Sequence, residues 1–373
     1  MPAAMVISEE QEELRSSVRR FCESRSPSAE VRRLMATREG YSPPVWEQMA
    51  GQLGLQGLAI PERHGGAGFG CVEQAIVLEE MGRVLLCAPY FATVAMAANA
   101  LLTSGDEAAC AAHLPSVASG ATIATLALAE DTGRWDEEGV TLTAERSAQG
   151  WTLDGHKSFV VDGAVASLVL VVARTWSGIS LFAVAGDAQG LSRTPLPTLD
   201  QTRKLARLEF ARTPAQLVGA DGGAWPGIAR TLDLAAIALA AEQVGGAQRC
   251  LDMSVEYAKV RQQFGRPIGS FQAIKHLCAD MHVAMELGRS AVRFAAWAAD
   301  ESPGELRVAA ALARAYCSEA YFKVAADTIQ VHGGIGFTWE HDAHLYYRRA
   351  KSSELLFGTP AQARAQLADR LGV

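Results

Sequence analysis

The rhythm of the apolar residues changes twice along this chain, and that double change limits the folds open to it. From residue 7 to about 115 the spacing is helical: Leu14, Val18 and Phe21 share one face of a first helix, and Pro43 and Pro44 open another in "PPVWEQMAGQLGLQGL". From about 120 to 222 the chain turns to short runs rich in Val, Leu and Thr, "VTLTAE", "GWTLDGHKSFVV", "SLVLVVAR", "ISLFAVA" and "ARLEFA". Strand signals this close together, with no helix between them, predict an antiparallel β domain or barrel, with "DGHKSF" and "VDGA" as turns. After "GADGGAWPG" the helical spacing returns in four long segments, the last following "GTP", which predicts an antiparallel bundle with many small residues at its contacts. The expected fold is therefore α+β: an N-terminal helical domain over 1–119, a middle antiparallel β domain over 120–222 and a C-terminal four-helix bundle over 223–373. Neither repeats nor low-complexity segments interrupt this order.

Composition removes several function classes. A net charge of −7 and a pI near 5.7 leave no general basic field for a nucleic acid or an anionic membrane surface. No run of about 18 uncharged apolar residues is present, and "MPAAMVISEEQEELRSS" is too acidic for a signal peptide, so the protein is expected to be cytoplasmic. The seven cysteines are scattered without C-x-x-C spacing, which favours reduced, buried thiols. "PERHGGAGFG" does not fit G-x-G-x-x-G and follows no strand, so it reads as a structural loop. His341 and His344 form an i, i+3 pair, placed in a loop after "FTWE", with no third ligand nearby; no metal site is expected.

Two segments carry a more specific signal. "RQQFGRPIGSFQ" (261–272) matches R-x-x-F-G-x-x-I-x-x-F-Q, and "QVHGGIGFTWE" (330–340) matches Q-x-x-G-G-x-G. With the helical, β, helical order, these motifs make the chain resemble the acyl-CoA dehydrogenase family over essentially its full length. The resemblance implies a tetramer built as two dimers, with FAD lying across a subunit boundary. The flavin ring would rest on the β domain of one subunit and the adenosine diphosphate tail on the bundle of its dimer mate. It further implies that Arg261 pairs with the FAD pyrophosphate and that Phe264 packs at the adenine end. Gln330, Gly333 and Gly334 would admit the cofactor to the backbone, and Ile268, Gln272 and Thr359 would complete the contacts. A guanidinium is a planar fork of donors for phosphate oxygens, and glycines remove the Cβ atoms that obstruct a ligand.

The same resemblance exposes a gap. The family reaction removes a proton α to a thioester and passes a hydride from the β carbon to flavin, and it needs a carboxylate base in an apolar pocket. That glutamate usually follows R-D-A-K within Y-E-G-T; here "RRAKSSELLFGT" puts Phe357 in its place. The other family position for the base, early in the first bundle helix, holds Ala235. No catalytic residue is therefore assigned, although Glu242 and Glu354 stand nearby in sequence as displaced candidates. Arg349, where the family has aspartate, reads as part of a solvated helix face. The family loop T-E-P-G-A-G-S-D becomes "AEDTGRWDE" (129–137), and W-I-T becomes Phe159, Val160 and Val161, which lacks a threonine hydroxyl for flavin N5. The part that grips a neighbour's FAD is kept, and the base and the cradle for the chain's own flavin are lost. The pattern resembles the α2β2 acyl-CoA dehydrogenases of actinobacteria that oxidise steroid side-chain CoA thioesters, in which one partner lacks the catalytic residue, and this resemblance implies an α2β2 heterotetramer with a homologous acyl-CoA dehydrogenase-like chain. It would act on an acyl-CoA, with a steroid side-chain CoA as one substrate class, and pass electrons to an electron-transfer flavoprotein. Two rival readings are a self-sufficient flavoenzyme with a displaced base or different flavin chemistry, such as a monooxygenase, and a flavin-free scaffold subunit.

Overall fold

The computed structural model describes residues 7–373; residues 1–6, where the stretch judged against a signal peptide begins, lie outside the described residues. Helices α1 (Glu9–Arg25), α2 (Ser28–Met35), α3 (Pro43–Gly51) and α4 (Cys71–Arg83) lead to a π-helix over Phe91–Ala98, then α5 (Asn99–Leu102) and α6 (Glu107–Ala118). Seven strands follow: β1 (Ala124–Ala127), β2 (Thr143–Ser147), β3 (Gly150–Val161), β4 (Leu168–Thr175), β5 (Gly178–Ala185), β6 (Leu191–Pro195) and β7 (Leu205–Val218). The chain ends with α7 (Trp225–Val260), a two-stranded hairpin of β8 (Gln262–Gln263) and β9 (Arg266–Pro267), and helices α8 (Gln272–Glu301), α9 (Leu306–His332), α10 (Ala343–Leu355) and α11 (Pro360–Leu371).

Two compact units result. One comprises Met1–Arg32, Cys71–Leu86 and Ala236–Val373, and the other Arg33–Gly70 and Cys87–Ala235. In the second unit the strands run β1-β4-β2-β3-β7-β5, and β5 pairs back onto β4, so the sheet closes on itself and leaves few free edges. Most pairings are antiparallel, while β1 and β2 meet β4 in parallel. "VDGA" is a turn as expected, but "DGHKSF" is not: it lies inside β3, where the register with β7 shifts near Gly155 and again between Lys157 and Val160. Bulges of this kind bend a strand without ending it, which is why the local turn signal misleads. The π-helix is buried throughout and is fastened to β1 by the Thr93 hydroxyl, which donates to the Ala124 carbonyl at 3.0 Å and accepts from its N–H at 3.2 Å.

In the first unit small residues let helices approach closely, as the alanine and glycine content predicts. On α4 and α7 the backbones themselves meet. A Cβ on Gly82 would sit 2.1 Å from the Glu242 carbonyl oxygen, and one on Gly245 would sit 1.8 Å from that of Glu79. Gly245→Ala therefore forces the two helices apart. It is expected to lower stability by about 3 kcal/mol or more in denaturant titration, whereas Gly51→Ala, with open space at its Cβ, costs nothing measurable. The buried line of α1 is Arg15, Val18 and Cys22, rotated from the expected Leu14–Val18–Phe21 face, because Arg15 is drawn inward by carboxylates on α4. The C-terminal segment contains α10 in addition to the four long helical segments read from the sequence, and His344 lies in its first turn, not in a loop.

Candidate functional site

The motif "RQQFGRPIGSFQ" forms a pedestal at the end of α7. The Arg261 N–H donates to the Tyr257 carbonyl at 2.8 Å and its own carbonyl accepts from the Ile268 N–H at 2.8 Å, so the backbone is fixed at the base of the β8–β9 hairpin. The turn is made by Phe264 at φ 54° and Gly265 at φ 75°, and it leaves the Phe264 ring 92% exposed. The Arg266 guanidinium lies 4.1 Å over the Phe271 ring, whose face the Phe264 ring approaches edge-on at 6.1 Å. Arg261 and Gln272 are exposed and Ile268 is half-buried. Among the described residues no carboxylate pairs with Arg261. Beside the hairpin an open cavity of about 390 Å³ is lined mainly by apolar residues, among them Val255, Ala258, Ile274 and Cys278, together with exposed Lys259 and Lys275. An apolar floor with unpaired cations around it suits an aromatic ring system bearing phosphates.

The second motif closes α9. Gln330 is exposed in the last turn, and Gly333 caps the helix at φ 62°, its N–H donating to the Ile329 and Gln330 carbonyls. Gly333 needs glycine for its dihedral angle; Gly334 does not. A Cβ at Gly334 would meet open space and its φ is not positive, so nothing within this chain requires its side chain to be absent. Thr359 is occupied otherwise: it is the N-cap of α11, its hydroxyl accepting from the Gln362 N–H at 3.3 Å within a capping box.

At the two base positions the chain carries no carboxylate. Ala235 is fully buried on α7. Phe357 is buried at φ 66°, followed by Gly358 at φ 104°, and buried Arg314 donates to both of their carbonyl oxygens, the second at 2.9 Å. The bend that would aim a base is thus held by a guanidinium, while the side chain it aims is a benzyl group. The displaced candidates are committed elsewhere. Glu242 forms a buried ion pair with Arg349, and Glu354 pairs with Lys351. Arg349 is only 4% exposed, which corrects its reading as a solvated helix face: α10 packs that side inward and the Glu242 carboxylate meets it there.

In the β domain the substituted loop organises around acids that the sequence reading did not single out. Glu130 is buried and accepts from the Thr141 and Leu142 N–H groups at 2.8 and 2.9 Å and from Lys157 Nζ at 2.9 Å. Burial pulls the fully enclosed Lys157 ammonium down to about 8, against the attraction of Glu130. Burial works to raise Glu130, and Lys157 with the hydrogen bonds outweighs it, holding the carboxyl below its usual range. Asp131 is bound by the Ser158 hydroxyl and by Arg207, both at 2.5 Å, which hold it at about 2. So low a value makes it a poor proton acceptor near neutrality. Phe159 takes a left-handed φ of 58° at the β3 bulge, and Val161 is fully buried with its carbonyl accepting from the Thr125 hydroxyl at 2.6 Å. Val161 offers only methyl groups where a flavin-facing hydroxyl was sought. A flavin there would depend on backbone amides.

A helical domain, a closed β domain and a helical C-terminal domain with this hairpin and glycine loop compose the acyl-CoA dehydrogenase fold. The chain matches, in order, the family's N-terminal domain over residues 8–121, its middle domain over 125–212 and its C-terminal domain over 215–372. It is 38% identical to the acyl-CoA dehydrogenase IpdE2 of Mycobacterium tuberculosis across 96% of both chains. A solved chain of the Tcur3481-Tcur3483 steroid ACAD (G363A variant) superposes with a TM-score of 0.89 at 31% identity, covering 98% of this chain and 99% of that one. A chain of the ChsE4-ChsE5 complex from Mycobacterium tuberculosis does so with a TM-score of 0.89 at 30% identity, covering 99% and 98%. The protein belongs to the acyl-CoA dehydrogenase family, whose members typically bind FAD. Among the described residues no helix is long and apolar enough to cross a membrane.

Proposed function

We propose that this chain, divided at 119/120 and 222/223 into its three domains, is one subunit of an FAD-dependent, α2β2 acyl-CoA dehydrogenase. It grips the tail of an FAD from across the subunit boundary, while a homologous partner chain supplies the catalytic glutamate, the flavin cradle and the acyl-CoA tunnel. The observation that carries the reading is Phe357, buried and fixed on its bend where the base belongs, in a chain whose exposed motif residues are those the family uses to hold FAD. FAD, when bound, would supply the hydride acceptor for the β carbon. Arg261 would bind the pyrophosphate, Phe264 and Ile268 would pack at the adenine end, Gln272 and Gln330 would donate hydrogen bonds, and Gly333 and Gly334 would let the tail lie against the backbone. Thr359 would act through the helix it caps. The similarity to the Tcur3481-Tcur3483 steroid ACAD and to the ChsE4-ChsE5 complex supports a heteromer, and the first of these supports a steroid side-chain CoA thioester as substrate. An electron-transfer flavoprotein would take the electrons. The paired state of Glu242 and Glu354 speaks against a displaced base.

Co-expression with the homologous chain is expected to give a heterotetramer that carries FAD and bleaches on addition of acyl-CoA, while this chain alone does not turn over. Flavin reduction by the purified homomer at the rate of an ordinary acyl-CoA dehydrogenase refutes the assignment.

A further inference from the structure

The glycine loop continues into residues 338–342, which are fastened by histidines and arginines for which the proposed clamp gives no reason. His332, the last residue of α9, is buried, and its Nδ1 lies 2.7 Å from the Thr328 carbonyl, so Nδ1 carries the proton and donates. Its ring stacks on Tyr257 of α7, with centroids 4.5 Å apart and planes at 27°, and meets the His341 ring at 4.3 Å. His341 Nδ1 accepts from the Ala343 N–H at 3.1 Å, at the start of α10, a bond that exists only while that nitrogen is unprotonated. Arg32 holds the backbone of the same stretch, donating to the Trp339 carbonyl at 2.7 Å and the His341 carbonyl at 3.1 Å and pairing with Asp342 at 2.7 Å. The Trp339 ring has the Arg348 guanidinium 4.5 Å from its centre and the His344 ring edge-on at 4.6 Å.

We propose that His341, with the His332 ring packed against it, is a positioning residue for the 338–343 segment that follows the glycine motif, locking it when neutral and releasing it when protonated. The surroundings make the charged forms unwelcome. Facing the imidazoles are guanidiniums from three directions, Arg32, Arg249 on α7 and Arg348 on α10, with the Tyr257 ring and with Asp342 opposing them. Asp342 is itself engaged by Arg32 and by the Ser28 hydroxyl at 2.6 Å. A proton on His341 would remove the acceptor for Ala343 and place a cation at the positive end of α10. Burial is the main cause that holds His332, His341 and His344 below the ordinary histidine value, and the arginines add to it for His341 and His344. A base with a depressed value binds its proton less readily in the locked loop than in the open one. The locking is therefore complete above about pH 6.5 and is lost as the pH falls through the lowered values.

The consequence for FAD rests on the clamp reading, so the test is made without cofactor or partner. Hydrogen exchange of amides 338–343 in the full chain, corrected for intrinsic rates, is expected to lose about tenfold of protection or more between about pH 7.5 and 5.5, with the interior of α8 unchanged. His341→Asn keeps an acceptor for Ala343 but does not titrate, and it should flatten the response. If that variant does not fold, proton NMR titration of the wild-type imidazoles decides. Protection indifferent to pH, or His332 and His341 titrating at or above about 6.5, overturns the proposal. A loop that loosens in acid while Arg261→Ala leaves FAD content intact would refute the clamp and leave the latch standing.

Discussion

Arg261→Ala is expected to weaken FAD binding to the heteromeric complex by about 30- to 100-fold, the equivalent of losing a charge-assisted hydrogen-bond pair of about 2–3 kcal/mol. The variant should fold normally, because the backbone bonds that hold Arg261 at the hairpin are independent of its side chain. The exposed guanidinium makes no ion pair among the described residues, so its removal leaves no buried charge behind. Flavin absorbance per complex after gel filtration, with unchanged mass and thermal midpoint, is the measurement. A scaffold subunit that never touches the cofactor would retain its partner's full flavin content, so the same experiment separates the two readings.

Glu80→Gln should produce the largest loss of stability. Glu80 is 1% exposed on α4 and accepts from Arg15 Nη1 at 3.1 Å and from Arg19 Nε and Nη2 at 2.8 Å, while neighbouring Glu79 binds Arg15 at 3.0 Å and Arg289 at 3.1 Å. Neutralising Glu80 leaves Arg19 without that carboxylate and leaves the buried Arg15 guanidinium with only Glu79 at 3.0 Å and Glu12 at 3.7 Å. Breaking such a buried pair costs about 3–5 kcal/mol, and the thermal midpoint should fall by on the order of 10 °C. The double replacement Arg15→Met with Glu80→Leu should recover much of the loss, since it removes both buried charges together. Calorimetry of the three proteins checks this, and an equal loss in the double variant would show that packing, not charge, dominates.

The three-part order was legible because long periodic segments announce themselves. In the β domain two strands were missed for identifiable reasons: β1 is only four residues of "ATLA", and β6, "LSRTP", is polar and largely exposed. Gly155 and Asp154 looked like a turn because a bulge uses the same residue types, and only pairing with β7 shows the strand continuing. In the site, the resemblance of short motifs to the family singled out Phe357, the motif arginine and the glycines. Arg314 could not be found in this way, since it lies 43 positions before the bend it holds. Nor could the burial of Arg349, because an arginine surrounded by polar letters gives no sign that a glutamate 107 positions earlier awaits it. Long-range partners of this kind are set by helix packing and leave no local pattern.

The left-handed bend at Phe357 has one more implication. Such a conformation costs a non-glycine residue on the order of 1–2 kcal/mol, and the fold bears that strain beneath a side chain that has no ionisable group. Exchanging that one side chain for a carboxylate would set an acid on the same curve with no change of backbone, so the shape of the bend and the chemistry it presents are separable.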